Sequence, residues 1–169
     1  HYELEEVYIK PYASCRHTHG AIQATLELVE EHAIRYTDVS KIQVGTYKIA
    51  KFNVGDRIPT MQGQSQHLIR QFSIPYVVSA SLIKGRISPD EIFGTNAYDP
   101  ILYEFLNKIE VTEDPDISNL YPEMTATTVE IALLDGKTVS KMIKLPNGDP
   151  RNPLSQSELE KKFRDLSTG

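Results

Sequence analysis

Apolar residues recur at helical spacing in two segments of the chain, and these segments predict the two longer helices. The first segment follows residue 19 and continues to Arg35. Residues three, four and seven positions apart share one face of a helix, so this spacing predicts an amphipathic helix. Its apolar positions are Ala21, Ile22, Leu26, Val29, Ala33 and Ile34.

The second helical segment is apolar on almost every side. Ser73 is a suitable N-cap, Pro75 then falls in the first turn where its missing N–H costs nothing, and Gly85 suits the C-terminal end after Lys84. The alternative is a longer helix from about Gln64 that is kinked at the proline. Because nearly every residue from Ile74 to Ile83 is apolar or small, we expect this helix to be buried on most sides and to need cover beyond a small sheet.

Shorter apolar or alternating runs predict strands. The clearest is a hairpin, because Asp135-Gly136 separates two alternating runs and both residues tolerate the positive φ of a two-residue turn. In a second run, Ile42, Val44 and Thr46 share one side of a strand with one wet face. The predicted strands are residues 4–9, 41–47, 108–112, 127–134 and 137–144.

Other segments predict loops and short helices. Residues 48–66 have no clean period, which predicts a loop with at most short helical turns, and long loops of this kind are often functional. Ser88 and Asp99 each precede a proline and predict two short helices. A proline-rich loop over residues 146–153 leads to Ser155 and Glu158, a capping box that predicts a terminal helix through Phe163.

Together these elements predict an α+β fold. We expect one mainly antiparallel sheet of about four strands, covered on one face by the two longer helices, with a C-terminal helix free to pack outside it.

Composition limits the classes of function. The 169 residues suffice for one domain with a core, and a net charge of −5 with an isoelectric point near 5.5 argues against nucleic acid as a partner. No run approaches the roughly 18 apolar residues of a membrane span, so we expect no membrane association. One cysteine and no signal-peptide pattern indicate the cytoplasm. Because the chain opens at His1 and its first methionine is Met61, we expect it to be part of a longer protein.

The candidate chemistry is concentrated in ten residues at the start of the first helix. Cationic side chains near a helix N-terminus are unfavourable unless an anion is present, so the cluster predicts a site for a carboxylate or phosphate. The alternative is a set of solvated polar groups on an exposed turn. The chemistry-bearing residues are Lys10, Cys15, Arg16, His17 and His19.

Individual residues of this cluster also have interpretations that involve no function. Cys15 beside Arg16 and a helix N-terminus has the setting of a reactive thiol, but a lone cysteine there more often packs. Arg16 and His17 are candidate substrate contacts or exposed residues. Cys15, His17 and His19 lack the paired spacing of zinc ligands and no fourth ligand is evident, so we expect no metal and no other cofactor.

Several short motifs in order along the chain resemble the MmgE/PrpD family. They are Lys-x-Tyr-x-x-Cys-x-x-x-His over residues 10–19, Gln-Phe-Ser-Ile-Pro-Tyr over residues 71–76 with Ala80 and Gly85, Asp135-Gly136, and Asn-Pro-Leu-Ser over residues 152–155 with Lys162 and Phe163. Members include 2-methylcitrate dehydratase, cis-aconitate decarboxylase and iminodisuccinate epimerase, which act without a metal on small polycarboxylates.

The resemblance implies a two-domain protein of which this chain is one part. Residues 1–145 are expected to form an α+β lid, and residues 146–169 a loop and helix returning to a helical domain that lies outside this sequence. That domain would supply further catalytic groups, an Asp and a His among them. Full-length members imply a homo-oligomer, with a dimer expected.

The resemblance also implies roles for residues in the cluster. Lys10 matches a family lysine that faces the active site, whereas Cys15 stands where the decarboxylase has His and some dehydratases have a polar residue. Lys51 falls near a position that is Tyr in the decarboxylase. We therefore expect Lys10 and His19 to be catalytic and Cys15 to bind substrate. Arg16 and His17 have no firm counterpart in the family and are included as substrate-binding candidates because of the anion site that the cluster predicts.

These roles leave the reaction open. A 2-methylcitrate dehydratase-like hydro-lyase is the leading hypothesis. An epimerase, isomerase or decarboxylase of the same family is the second, and a noncatalytic dimerisation module is the third. We expect the fragment alone to be inactive.

Overall fold

The computed structural model describes residues 6–61 and 65–167, within which the chain forms one four-stranded sheet. The spatial order is β2-β1-β3-β4. β2 lies parallel to β1, whereas the pairs β1–β3 and β3–β4 are antiparallel, so the predicted α+β fold with a mainly antiparallel sheet is confirmed. The strands are β1 (Val39–Thr46), β2 (Ile109–Glu113), β3 (Thr127–Leu133) and β4 (Thr138–Ile143).

Eight α-helical segments accompany the sheet in the described part of the chain. The two longer helices pack on it, since α1 contacts β3 and β4 and α4 contacts β2, and the short α7 contacts β1. None of the helices that the structure describes is both long and apolar enough to cross a membrane. The helices are α1 (His19–His32), α2 (Lys48–Ala50), α3 (Gln66–Gln71), α4 (Ile74–Lys84), α5 (Pro89–Phe93), α6 (Pro100–Phe105), α7 (Pro115–Ser118) and α8 (Gln156–Ser167).

The alternation of β1 and β3 places the core on one face of the sheet. Val44 lies opposite Val129, and Ile42 lies opposite Ile131, and all four side chains are fully buried. The residues between them face the other side and are polar, which gives the sheet one apolar and one wet face. α1 and α4 therefore cover the apolar face, as predicted.

The N-cap of α4 lies where the sequence predicts it. Ser73 Oγ accepts a hydrogen bond from Tyr76 N at 3.1 Å, which starts α4 at the expected position. The alternative of one longer kinked helix is wrong, because α3 ends at Gln71 and a separate helix follows. The predicted hairpin at Asp135-Gly136 joins β3 to β4, but the two-residue turn is wrong: Leu133 N donates to Lys137 O at 2.8 Å, which leaves a three-residue loop over residues 134–136, in which Gly136 alone has a positive φ, +87°.

The strand predicted over residues 4–9 is wrong where it can be examined. Residues 4 and 5 lie outside the described residues, and residues 6–9 form no strand. Ile9 N instead donates to Gly148 O at 3.0 Å, so this segment pairs with a loop rather than with a sheet edge. Of the loop predicted over residues 48–66, residues 62–64 lie outside the described residues, and residues 48–61 form short turns, since α2 runs into a π-helix over Lys51–Gly55.

The expected burial of α4 is confirmed, and the cover that it needs beyond the sheet comes from this chain itself. Every residue from Ile74 to Leu82 is buried by α1, α6, β2 and neighbouring turns of this same chain. Apolar exposure occurs elsewhere, at Phe52 (84% exposed) and Phe163 (73% exposed). Phe163 belongs to α8, which contains no buried residue and lies outside the sheet-helix core.

Candidate functional site

A short 3-10 turn, Arg16–Thr18, carries the candidate residues into the N-terminus of α1. Buried hydroxyls hold it: Ser14 Oγ lies 2.8 Å from Thr18 Oγ1, and Thr18 Oγ1 donates to Cys15 O at 2.8 Å. Cys15 N donates to Gln71 O at 2.9 Å, which ties the turn to the end of α3. The backbone of the cluster is therefore fixed before any ligand is present.

The loop over residues 146–152 forms the second wall of the site. Asn147 is its centre, because Asn147 N donates to Gln23 Oε1 at 2.8 Å and Asn147 Oδ1 accepts from Asn152 Nδ2 at 3.0 Å. Gly148 sits at φ +91°, and a Cβ there would lie 2.0 Å from Ile9 O, so only glycine permits this approach. The sequence predicted this segment only as a connecting loop, and its position beside the candidate residues was not predicted.

Lys10 is exposed, and its ammonium group is held by the backbone. Lys10 Nζ donates to Ser14 O at 3.3 Å, and no carboxylate of the described residues pairs with it. The backbone oxygen of Lys10 in turn accepts from Lys162 Nζ on α8. The full positive charge of Lys10 thus remains available to an anion.

His19 lies directly beneath Lys10 and is fully buried. Its Nε2 donates to the same Ser14 O at 3.3 Å, its Nδ1 lies 3.0 Å from the Tyr8 hydroxyl, and the Tyr12 ring packs edge-on at 5.2 Å. Burial lowers the pKa of His19 from 6.5 to about 3, so the ring is neutral at pH 7. The structure thus brings His19 and Lys10 together but places the imidazole behind the surface.

Arg16 pairs with a buried carboxylate that the sequence did not indicate. Arg16 Nη2 donates to Asp149 Oδ2 at 3.0 Å, and the guanidinium lies 4.5 Å from the centre of the Tyr8 ring. Burial alone would raise the pKa of Asp149, but hydrogen bonds from Arg151 and the charges of both arginines outweigh it and lower that pKa. Asp149 therefore stays ionised and orients Arg16.

His17 is half-buried, and its ring contacts the hydroxyl of Tyr47. His17 Nδ1 and Tyr47 Oη are 2.5 Å apart, and the Tyr47 ring stacks on Tyr121 at 4.8 Å. Burial lowers the pKa of His17, and the charge of Arg16 lowers it further. Tyr47 was not among the residues predicted from the sequence, since its position after a strand carries no chemical signal.

Cys15 and Lys51 have simpler environments. Cys15 is half-buried and packs against the main core, which agrees with the packing interpretation. Lys51 Nζ forms an ion pair with Asp56 within the turn that contains the π-helix. Among residues 6–61 and 65–167, no three or more His, Cys, Asp or Glu side chains are placed to hold a metal ion.

The arrangement is suited to binding a small anion. α1 has no acidic residue in its first turn, so its N-terminal dipole is not neutralised by its own side chains. Lys10 adds one charge without a carboxylate partner among the described residues, and Arg16 adds a second that is partly balanced by Asp149. A ligand with a carboxylate group would balance the positive charge of this surface.

An α+β domain with a cationic helix N-terminus between a short turn and a returning loop defines a candidate lid for an anionic ligand. Residues 12–169 match the MmgE/PrpD C-terminal domain, and the chain belongs to the MmgE/PrpD family.

Two curated relatives share parts of this sequence. A human protein named cis-aconitate decarboxylase is 29% identical over 170 residues, which covers 96% of this chain and 33% of the relative. A mouse protein of the same name is 33% identical over 118 residues, which covers 64% of this chain and 23% of the relative. The chain therefore spans about a third or less of the length of these relatives.

Proposed function

We propose that this chain is the lid part of a metal-independent enzyme that acts on a small polycarboxylate. The observation that carries the proposal is the charge of Lys10, which is held against Ser14 O at the N-terminus of α1 and is paired with no described carboxylate. Dehydration, epimerisation and decarboxylation of polycarboxylates all need cations to hold carboxylates and to stabilise developing charge. Lys10 and Arg16 supply them.

Within this class we propose a hydro-lyase similar to 2-methylcitrate dehydratase. Cys15 and Lys51 stand at positions where the family resemblance expects other residues in the decarboxylase. The second candidate is decarboxylation, because both named relatives are cis-aconitate decarboxylases. Lys10, His19, Cys15, Arg16 and His17 remain the proposed site residues, with Lys10 contacting a carboxylate and His19 supporting it from behind.

We propose that α8 connects the lid to a helical domain outside this sequence. Its apolar side chains are Leu159, Phe163 and Leu166, spaced four and three residues apart along one side, and they are 37%, 73% and 56% exposed. The relatives are about three times as long as this chain, so they contain ample further structure to cover this stripe. Residues 1–145 would then be the lid and residues 146–169 the returning segment, and a homodimer is proposed for the whole protein.

The test is an activity screen of the full-length protein. It should be assayed with 2-methylcitrate, citrate, cis-aconitate and iminodisuccinate, with and without a chelator. Loss of water from a tricarboxylate with no effect of chelator supports the hydro-lyase, and release of carbon dioxide supports the second candidate. If the protein neither turns over nor binds any of these compounds, it is not an enzyme of this class. That result would favour the noncatalytic dimerisation module.

A further inference from the structure

The contact between His17 and Tyr47 joins two elements that are distant in sequence. His17 belongs to the 3-10 turn before α1, and Tyr47 is the first residue after β1. Tyr47 is 1% exposed, and its stacking on Tyr121 at an interplanar angle of 13° fixes the ring. The 2.5 Å separation of His17 Nδ1 and Tyr47 Oη is therefore set by packed structure on the tyrosine side.

The direction of this hydrogen bond follows from counting protons. The Tyr47 hydroxyl has one hydrogen, and within the described residues its one available acceptor is His17 Nδ1. If Nδ1 were protonated and donated to Tyr47 Oη, the buried hydroxyl hydrogen would have no acceptor, which costs about 1–3 kcal/mol. Tyr47 therefore donates to Nδ1, and the ring hydrogen of neutral His17 lies on Nε2.

The surroundings keep both partners neutral. Burial raises the pKa of Tyr47, so the phenol retains its hydrogen. Burial and the adjacent Arg16 charge lower the pKa of His17, and the positive end of the α1 dipole acts in the same direction. The groups that face the pair are Arg16 on the turn, Tyr121, and Tyr8 and Cys15 around the phenol.

The Nε2–H of His17 is accessible. Among the described residues, Tyr47 is the one hydrogen-bond partner of the His17 ring. Buried side-chain atoms without a partner are limited, in the same residues, to Arg16 Nε and Thr125 Oγ1. His17 Nε2 is therefore neither bonded within the described chain nor enclosed, and it presents an N–H beside the Arg16 cation.

We propose that His17 donates its Nε2–H to the substrate oxygen that gains negative charge in the reaction, with Tyr47 as the positioning residue that selects this tautomer. The inference rests on the proposed function, since removal of a proton or of carbon dioxide next to a carboxylate places charge on carboxylate oxygens. A neutral imidazole with a lowered pKa can stabilise such an oxygen as a hydrogen-bond donor. The base that removes the substrate proton is a different group.

The tautomer can be measured on the chain itself. Nitrogen-15 NMR of the histidine rings at neutral pH should show His17 protonated on Nε2 and not on Nδ1. Tyr47→Phe, which keeps the stacked ring and removes the donor, should give a mixture of tautomers. Tyr121→Phe is the matched control and should leave the ring as in the parent. A parent His17 protonated on Nδ1 overturns the inference even if Tyr47→Phe does not fold, and so does an unchanged tautomer in a folded Tyr47→Phe.

Kinetics of the full-length protein test the donor role. His17→Ala should lower kcat about 10²- to 10³-fold with little change in KM, as expected for one lost transition-state donor. His17→Gln restores an N–H near the same place and should recover part of kcat. Because the base is a different group, the fall of activity at low pH, the acidic limb of the pH profile, should be the same as in the parent. The exposed His32→Gln is the control and should match the parent. Full activity of His17→Ala, or loss of the acidic limb in His17→Gln, overturns the donor role.

The two experiments separate this inference from the proposed function. If the full-length protein turns over no polycarboxylate, the proposed function fails whatever the NMR shows. If turnover is present but His17 carries its proton on Nδ1, the inference alone fails.

Discussion

Lys10 and His19 donate to the same atom, because Lys10 Nζ and His19 Nε2 each lie 3.3 Å from the carbonyl oxygen of Ser14. One donor is an exposed cation and the other is a buried neutral ring. Ser14 O therefore fixes the position of a surface charge relative to the core. A shift of the His19 ring would move the peptide that holds Lys10.

Lys10→Ala in the full-length protein should lower turnover roughly a hundredfold. Removing a preorganised charge from a transition state costs on the order of 3 kcal/mol. Stability should be nearly unchanged, since the lost contact is one bond from an exposed amine. Steady-state kinetics and thermal unfolding measure the two effects. Lys137→Ala, on the hairpin turn, serves as the control, and parent-like kinetics of Lys10→Ala would remove Lys10 from the site.

His19 should make the stability of the chain depend on pH in acid. Its pKa is about 3 in the folded chain and 6.5 as the ordinary value, so below pH 6.5 the unfolded chain binds a proton that the folded chain does not. The free energy of unfolding should therefore fall as the pH is lowered from 6.5 to 3, by about 1.4 kcal/mol per pH unit from this group, and this contribution is constant above pH 6.5.

His19→Gln isolates this contribution. Glutamine keeps a donor toward Ser14 O but does not titrate, so the variant should lose that part of the pH dependence in denaturant titrations. The exposed His32→Gln should keep it. An identical acid dependence in His19→Gln and the parent would show that His19 titrates normally in the folded chain.

Gly148→Ala should destabilise the chain far more than Gly136→Ala. Both glycines have φ near +90°, so both substitutions carry backbone strain of about 1 kcal/mol. An added Cβ at Gly136 meets nothing within 4 Å, whereas at Gly148 it would lie 2.0 Å from Ile9 O. We expect a total of about 3 kcal/mol for Gly148→Ala, measured by urea unfolding. Equal costs for the two variants would mean that the loop and residue 9 separate freely.

The apolar stripe of α8 should make the isolated chain self-associate. Leu159→Ser with Phe163→Ser should shift the mass in sedimentation velocity toward the monomer. Unfolding should change little, because α8 has no buried residue. Lys161→Ser on the same helix is the control and should behave as the parent does. A parent chain that is monomeric at all concentrations would argue against a docking role for this stripe.

The sequence predicted those elements whose signals are local. The Ser73 cap, the hairpin at Asp135-Gly136 and the short helix after Ser88 depend on residues within four positions of one another, and the structure has all three. The parallel pairing of β2 with β1 had no such signal. Its register places Val44 opposite Val111, and several helices rather than one turn join the two strands.

The sequence indicated the charged residues of the candidate site but not the residues that hold them in place. Lys10, Arg16, His17 and His19 lie within ten residues, and the charges of Lys10 and Arg16 near a helix start are visible in the sequence. The carboxylate that orients Arg16 is 133 positions away, and the phenol that orients His17 is 30 positions away. Burial of His19 was equally hidden, since a histidine at the first position of an amphipathic helix can face either side.

The contact between Tyr8 and Asn147 spans 139 positions of the chain, and the backbone bond between Ile9 and Gly148 spans the same number. Contacts between such distant residues carry a large loop-closure entropy that the hairpin and the helices do not. The sheet can therefore form while the candidate site is still open. We expect the candidate site to be assembled at a late stage of folding, when residues 147 and 148 settle against residues 8 and 9, so that the wall beside Lys10 and Arg16 forms on a chain whose core is already in place.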